Sequence, residues 1–146
     1  MREKAETLRA RGLEALSYGN AVAALSFLEK AIRLEKTPIT CSSLAYCLAK
    51  ERGQFKQAFA LCEEAIEKEP DSAAHYLNLG RIHILAGNRA EAITALRDGL
   101  KHDLDEQIIA ELARLGIRKP PVIPFLNRAN PLNKYFGLIL KRLGFR

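Results

Sequence analysis

GNAVAALSFLEKAIRLEK (19–36), GQFKQAFALCEEAIEKEP (53–70) and GNRAEAITALRDGLKHDL (87–104) can be laid over one another without a gap. Their leading glycines, Gly19, Gly53 and Gly87, recur at one constant interval. Ala24, Ala58 and Ala92 keep the same interval, and so do Ala31, Ala65 and Gly99. Three small-residue positions keeping one register identify an internal repeat, which decides the architecture before any single element is read.

Each unit reads as a helical hairpin. The first helices are TLRARGLEALSY (7–18), TCSSLAYCLAKE (40–51) and AHYLNLGRIHIL (74–85). Gly19, Gly53 and Gly87 then stand where a helix ends and the chain turns. The second helices carry paired small residues seven apart, two helical turns on one side, so that a neighbouring helix can approach closely. Pro70 stops the second hairpin. Residues 105–115, DEQIIAELARL, read as a seventh helix with Ile108, Ile109, Leu112 and Leu115 on one side, the cap that the last hairpin requires.

At this point the chain resembles the tetratricopeptide repeat family. Tyr76, Leu79-Gly80, His83, Ala92 and Leu96 match the family pattern in the third unit. The second offers Cys41, Leu44-Ala45, Leu48, Ala58, Cys62 and Pro70, with one extra residue near Glu51–Arg52. The first offers Leu8, Gly12, Ala15, Ala24 and Leu28, but Arg11 stands where a leucine is usual, and Lys36 and Leu104 replace the terminal proline. The resemblance covers residues 5–104. It implies an all-α fold: a right-handed α-solenoid of three hairpins whose first helices line a concave surface that binds peptides or partner proteins.

Carried over by position, that groove would draw Arg9, Leu13, Leu16 and Ser17 from the first unit. The second would contribute Ile39, Ser42, Ser43, Tyr46 and Lys50, and the third Leu77, Asn78, Arg81, Ile84 and Leu85. Tyr46 and Arg81 are the expected anchors, because Tyr and Arg dominate binding hot spots. Some family members clamp a chaperone's terminal carboxylate with a Lys/Asn/Asn/Lys/Arg set. Here Arg9 replaces the first lysine, and Leu13, Ser43, Ala74 and Asn78 occupy the other places, so the charge-assisted bonds cannot form. What remains is a groove rich in Leu, Ile and Tyr, a surface that a partner covers. A register displaced by one would instead put some of these residues in the core.

Composition agrees with a folded domain: 48% of residues are hydrophobic and 27% charged in 146 residues, enough to bury a core. No apolar run approaches the ~18 residues of a membrane span. The charged start, MREKAETLRARG, has no apolar leader core behind it, which makes the cytoplasm the expected location. Cys41 and Cys47 point to nearly opposite sides of one helix, and His75 and His83 stand ~12 Å apart along another, so no metal site is expected. Cys62 too reads as a small buried residue. The histidines and cysteines are scattered and no nucleotide-binding glycine motif occurs, so neither catalysis nor a cofactor is expected.

The net charge of +6 is unevenly divided. Residues 1–116 carry 16 basic and 17 acidic side chains, whereas residues 117–146 carry seven basic and no acidic ones. The chain therefore divides into a near-neutral solenoid (1–116) and a basic tail (117–146). Within the tail, Pro120, Pro121 and Pro124 impose an extended ribbon presenting Phe125 and Leu126. Asn130-Pro131 then opens a helix over 131–143, with Leu132, Tyr135, Phe136 and Ile139 in one broad apolar face. Ordering a dozen residues costs about 1.5 kcal/mol each, so the helix needs a surface. Candidates are its own stack, a second copy, another protein, and an anionic membrane, for which a basic amphipathic helix is suited. Nucleic acid is disfavoured, because apolar residues dominate the tail. The expectation is docking on its own stack through Phe125, Leu126, Leu132, Tyr135, Phe136 and Ile139. The function expected is a non-catalytic adaptor or assembly chaperone binding a peptide or partner through a groove that the tail partly covers. The alternative is a peripheral membrane protein anchored by the tail.

Overall fold

The computed structural model describes residues 2–117. Every regular element among them is a helix: α1 (Arg2–Ser17), α2 (Ala21–Leu34), α3 (Pro38–Arg52), α4 (Phe55–Lys68), α5 (Ala73–Leu85), α6 (Arg89–Leu100) and α7 (Glu106–Arg114). The all-α architecture expected from the repeat is thus what the structure shows. The tail residues named above, Phe125, Leu126, Leu132, Tyr135, Phe136 and Ile139, lie outside the described residues.

Local chemistry sets the helix boundaries. Asn20 caps α2 by accepting from the Ala23 N–H, and Thr37 caps α3, with Pro38 pre-set for the first turn. Asp105 accepts from the N–H groups of Gln107 (2.7 Å) and Ile108 (3.3 Å) at the start of α7. The turns of the three repeats close on Gly19, Gly53 and Gly87, at φ of 76°, 63° and 81°, and α7 is followed by Gly116 at 77°. These left-handed angles are strained for a side-chain-bearing residue, which is why glycine recurs at the same place in each unit.

α1 packs on α2, α3 on α4 and α5 on α6; α3 also packs on α2 and α5, and α7 closes the row against α6 and α5. Ala24, Ala58 and Ala92, the small residues of the repeat, are all fully buried. Their lack of bulk lets paired helices approach. Where first and second helices cross, sizes are matched. A Cβ on Gly12 would stand 2.7 Å from Leu28, and one on Gly80 2.6 Å from Leu96, so glycine faces leucine in both. In the second repeat Ala45 shares a core cluster with the smaller Cys62. At the far end Leu77, Leu96, Leu100, Ile108 and Leu112 form one cluster with Leu115 and Ile117 packed against it, the covering expected of a capping helix. No helix among the described residues is long and apolar enough to cross a membrane.

Candidate partner-binding face

α1, α3 and α5 each present one side that their second helices do not cover. Tyr46 of α3 and Arg81 of α5 meet there. The Arg81 guanidinium carbon lies 5.6 Å from the centroid of the half-buried Tyr46 ring, and Lys50 Nζ lies 5.8 Å from it. Both distances fall within cation–π range. The Tyr46 ring rests on the cluster of Ala45, Ala49, Ala58, Cys62 and Ile82, which fixes its position. Arg81 is fixed from its other side by α7: Nε donates to Glu111 Oε1 and Nη2 to Gln107 Oε1, each at 3.2 Å. Arg114 Nη1 donates to the same Glu111 oxygen at 3.1 Å, so this buried carboxylate accepts from two guanidinium groups.

Around this centre Ile84 is half-buried and Leu85 is 42% exposed. Ile39 and Leu13 are half-buried and Lys50 exposed. Leu16 is half-buried, packed on the cluster of Leu28, Leu44 and Leu48. Arg9 turns toward the end of α2, with Nη1 4.0 Å from Glu35 Oε2, a distance at which neither atom completes a hydrogen bond.

Four residues assigned to this face from sequence are withdrawn from it. Ser42 (0% exposed), Ser43 (2%), Leu77 (5%) and Asn78 (7%) are buried: α3 is covered on one flank by α2 and on the other by α5, and α5 is covered in turn by α3 and α7. Leu77 belongs to the core beneath α7.

Ser42 and Asn78 belong to a polar chain joining the second and third repeats. Ser42 Oγ lies 2.8 Å from His75 Nδ1, His75 Nε2 lies 2.8 Å from Glu69 Oε1, and Asn78 Nδ2 donates to Ser42 Oγ at 3.2 Å. One assignment satisfies every member: a neutral imidazole donates from Nε2 to the Glu69 carboxylate and accepts the Ser42 hydroxyl proton at Nδ1, leaving Ser42 Oγ to accept from Asn78. The order Glu–His–Ser invites comparison with a nucleophilic triad. Here both Ser42 and His75 are fully buried, and the hydroxyl is engaged on two sides, so the chain pins α3 to α5.

The cysteines are buried and free. Burial pushes the Cys47 and Cys62 thiols up to about 12 and raises Cys41, which leaves no thiolate at neutral pH. His83 lies against Phe59 with ring centroids 4.6 Å apart and planes tilted by 38°, and burial holds it below the ordinary histidine value.

Sequence reasoning missed the contribution of α7. Glu111 stands one repeat interval after Leu77, so carrying the register one unit further would have brought it into view. The Glu69–His75–Ser42 chain had no such signal, since its members come from three separate elements. Two further apolar side chains, Tyr18 (80% exposed) and Val22 (66%), stand at the first turn, away from the Tyr46 centre. Over residues 49–115, from the end of α3 through α7, the sequence matches the family model for the tetratricopeptide repeat.

Proposed function

The chain is a tetratricopeptide repeat protein over residues 49–115, and such repeats mediate protein–protein interactions; on that premise we propose that it is a non-catalytic adaptor or assembly chaperone. It takes a segment of a partner protein against the face formed by α1, α3, α5 and the end of α7. Residues 1–116 serve as the binding body, and 117–146 as a separate functional segment.

The observation that carries this reading is the Tyr46 centre. A half-buried aromatic ring lies within cation–π distance of two cations, and one of those is braced by Glu111 and Gln107. A pre-ordered aromatic–guanidinium pair loses little side-chain freedom on binding, which is what makes such pairs effective anchors. By the repeat register, Leu13, Ile39, Ile84 and Leu85 share the side of their helices that carries Tyr46 and Arg81, and exposed Lys50 adds a positive charge. This chemistry fits a segment bearing a large apolar residue beside a carboxylate.

The test is selection from a displayed peptide library with the full-length chain, followed by affinity measurement. Tyr46→Ala should weaken selected peptides at least tenfold, about 1.4 kcal/mol, measured at a temperature where the variant stays folded, since losing the half-buried ring also lowers the melting midpoint. Arg81→Ala should weaken binding and also lower stability, by about 1–2 kcal/mol, because α7 loses its tie through Glu111. Selected peptides that bind Tyr46→Ala as tightly as the wild type would move the site elsewhere.

A further inference from the structure

A second surface lies on the opposite side of α5. Leu79 and His83 stand roughly half a turn around that helix from Arg81, so they face away from the Tyr46 centre. They floor an open groove of about 370 Å³ whose wall is α6, from Ala90 and Glu91 past Thr94 to Asp98. Phe59 of α4, whose ring packs at a tilt against His83, extends the apolar surface beyond the floor. The lining holds two carboxylates, Glu91 and Asp98, and no lysine or arginine. Lys101 pairs with Asp98 from beyond the lining, at 3.1 Å, in an exposed contact that is easily exchanged. The groove thus combines an apolar floor with an acidic rim.

The chain beyond Ile117 has the complementary character. It contains seven basic side chains and no acid, with the large apolar residues concentrated after Pro131. The place where it leaves the stack is also defined. Arg89, the first residue of α6, donates through Nη2 to the Leu115 carbonyl at 2.7 Å. The exit is thereby tied to the first turn of α6, where Ala90 and Glu91 form one end of the groove. Reach is not limiting: the segment 118–130 spans up to ~40 Å when extended, against ~18 Å for the length of α6. The Tyr46 face is the poorer match, since Arg9, Lys50 and Arg81 lie along it with the same sign as the tail.

We propose that residues 131–143 of this chain dock, apolar side down, in the groove between α5 and α6. Docking there covers the side of the stack opposite Tyr46 and leaves the partner-binding face open. It uses a different surface from partner binding and does not depend on it.

Hydrogen exchange of the full-length protein, read by mass spectrometry on peptides from 131–143, tests this. The wild type should show at least tenfold slowed exchange there, independent of protein concentration. Glu91→Lys with Asp98→Lys should abolish the slowing. So should Thr94→Arg, which places bulk and like charge in the groove from an exposed helix position. Lys50→Glu should leave it unchanged. Four results would each overturn the proposal: no slowing in the wild type, slowing that fades on dilution, slowing that appears only with anionic phosphatidylserine vesicles, or slowing that survives both groove variants.

Discussion

Gly80→Ala tests the size matching that lets the paired helices cross. In an exposed helix the substitution would stabilise, because alanine is favoured over glycine by about 0.8–1 kcal/mol in a helix interior. Here the new methyl carbon would lie 2.6 Å from Leu96 Cδ2 and 2.7 Å from its Cγ. Leu96 is fully buried, and its Cγ cannot withdraw without moving the side chain into Ile108 and Leu112 or shifting α6. Overpacking of this kind costs about 1–3 kcal/mol. Set against the propensity gain, the net destabilisation should be about 0–2 kcal/mol. The second repeat suggests the compensation, since there alanine (Ala45) sits with cysteine (Cys62), which lacks the clashing atoms. Leu96→Cys alone should leave a cavity and destabilise by about 2–4 kcal/mol. In the double variant the methyl added at position 80 fills part of that space, so the two effects should fall short of additivity by at least about 1 kcal/mol. Urea unfolding followed by far-ultraviolet circular dichroism measures all four corners of the cycle, provided the slope stays constant among them. A Gly80→Ala variant more stable than the wild type, or a cycle additive to within about 0.5 kcal/mol, would refute the size-matching account.

The remaining expectations concern titratable groups. A disulfide-exchange reagent at pH 8 should find no fast-reacting thiol in the native protein and three after denaturation, since burial raises Cys41 and places Cys47 and Cys62 near 12. For His83, burial against Phe59 lowers the folded-state value, and the charges of Glu91 and Glu63 oppose that only in part. The unfolded chain then binds the proton more readily, so the His83 contribution is complete above pH ~6.5 and is lost as pH falls through the folded-state value. Subtracting the pH profile of His83→Gln from that of the wild type should isolate this loss; identical profiles would show that His83 does not contribute.

The helical hairpins, their turns and the capping helix were legible without coordinates because each depends on short-range regularity. A positive-φ turn selects glycine at Gly19, Gly53 and Gly87, and close helix approach selects small residues at Ala24, Ala58 and Ala92. Tyr46 and Arg81 were legible as neighbours on one face for the same reason, through the carried-over repeat register.

What that register could not supply was how far each first helix is enclosed by its neighbours. Ser42, Ser43, Leu77 and Asn78 occupy positions that the carried-over register places on the face of Tyr46 and Arg81, and all four are buried because α2 and α5 close over α3, and α3 and α7 over α5. The same packing brings Glu69, His75 and Ser42 into one hydrogen-bonded chain, and carries Glu111 of α7 to Arg81 of α5. A repeat period is a property of the chain taken one unit at a time, and so the sequence by itself determined the unit. Burial and long-range pairing depend on how one unit rotates against the next, which is set by the sum of all side-chain contacts between them, and only the tertiary structure decided that.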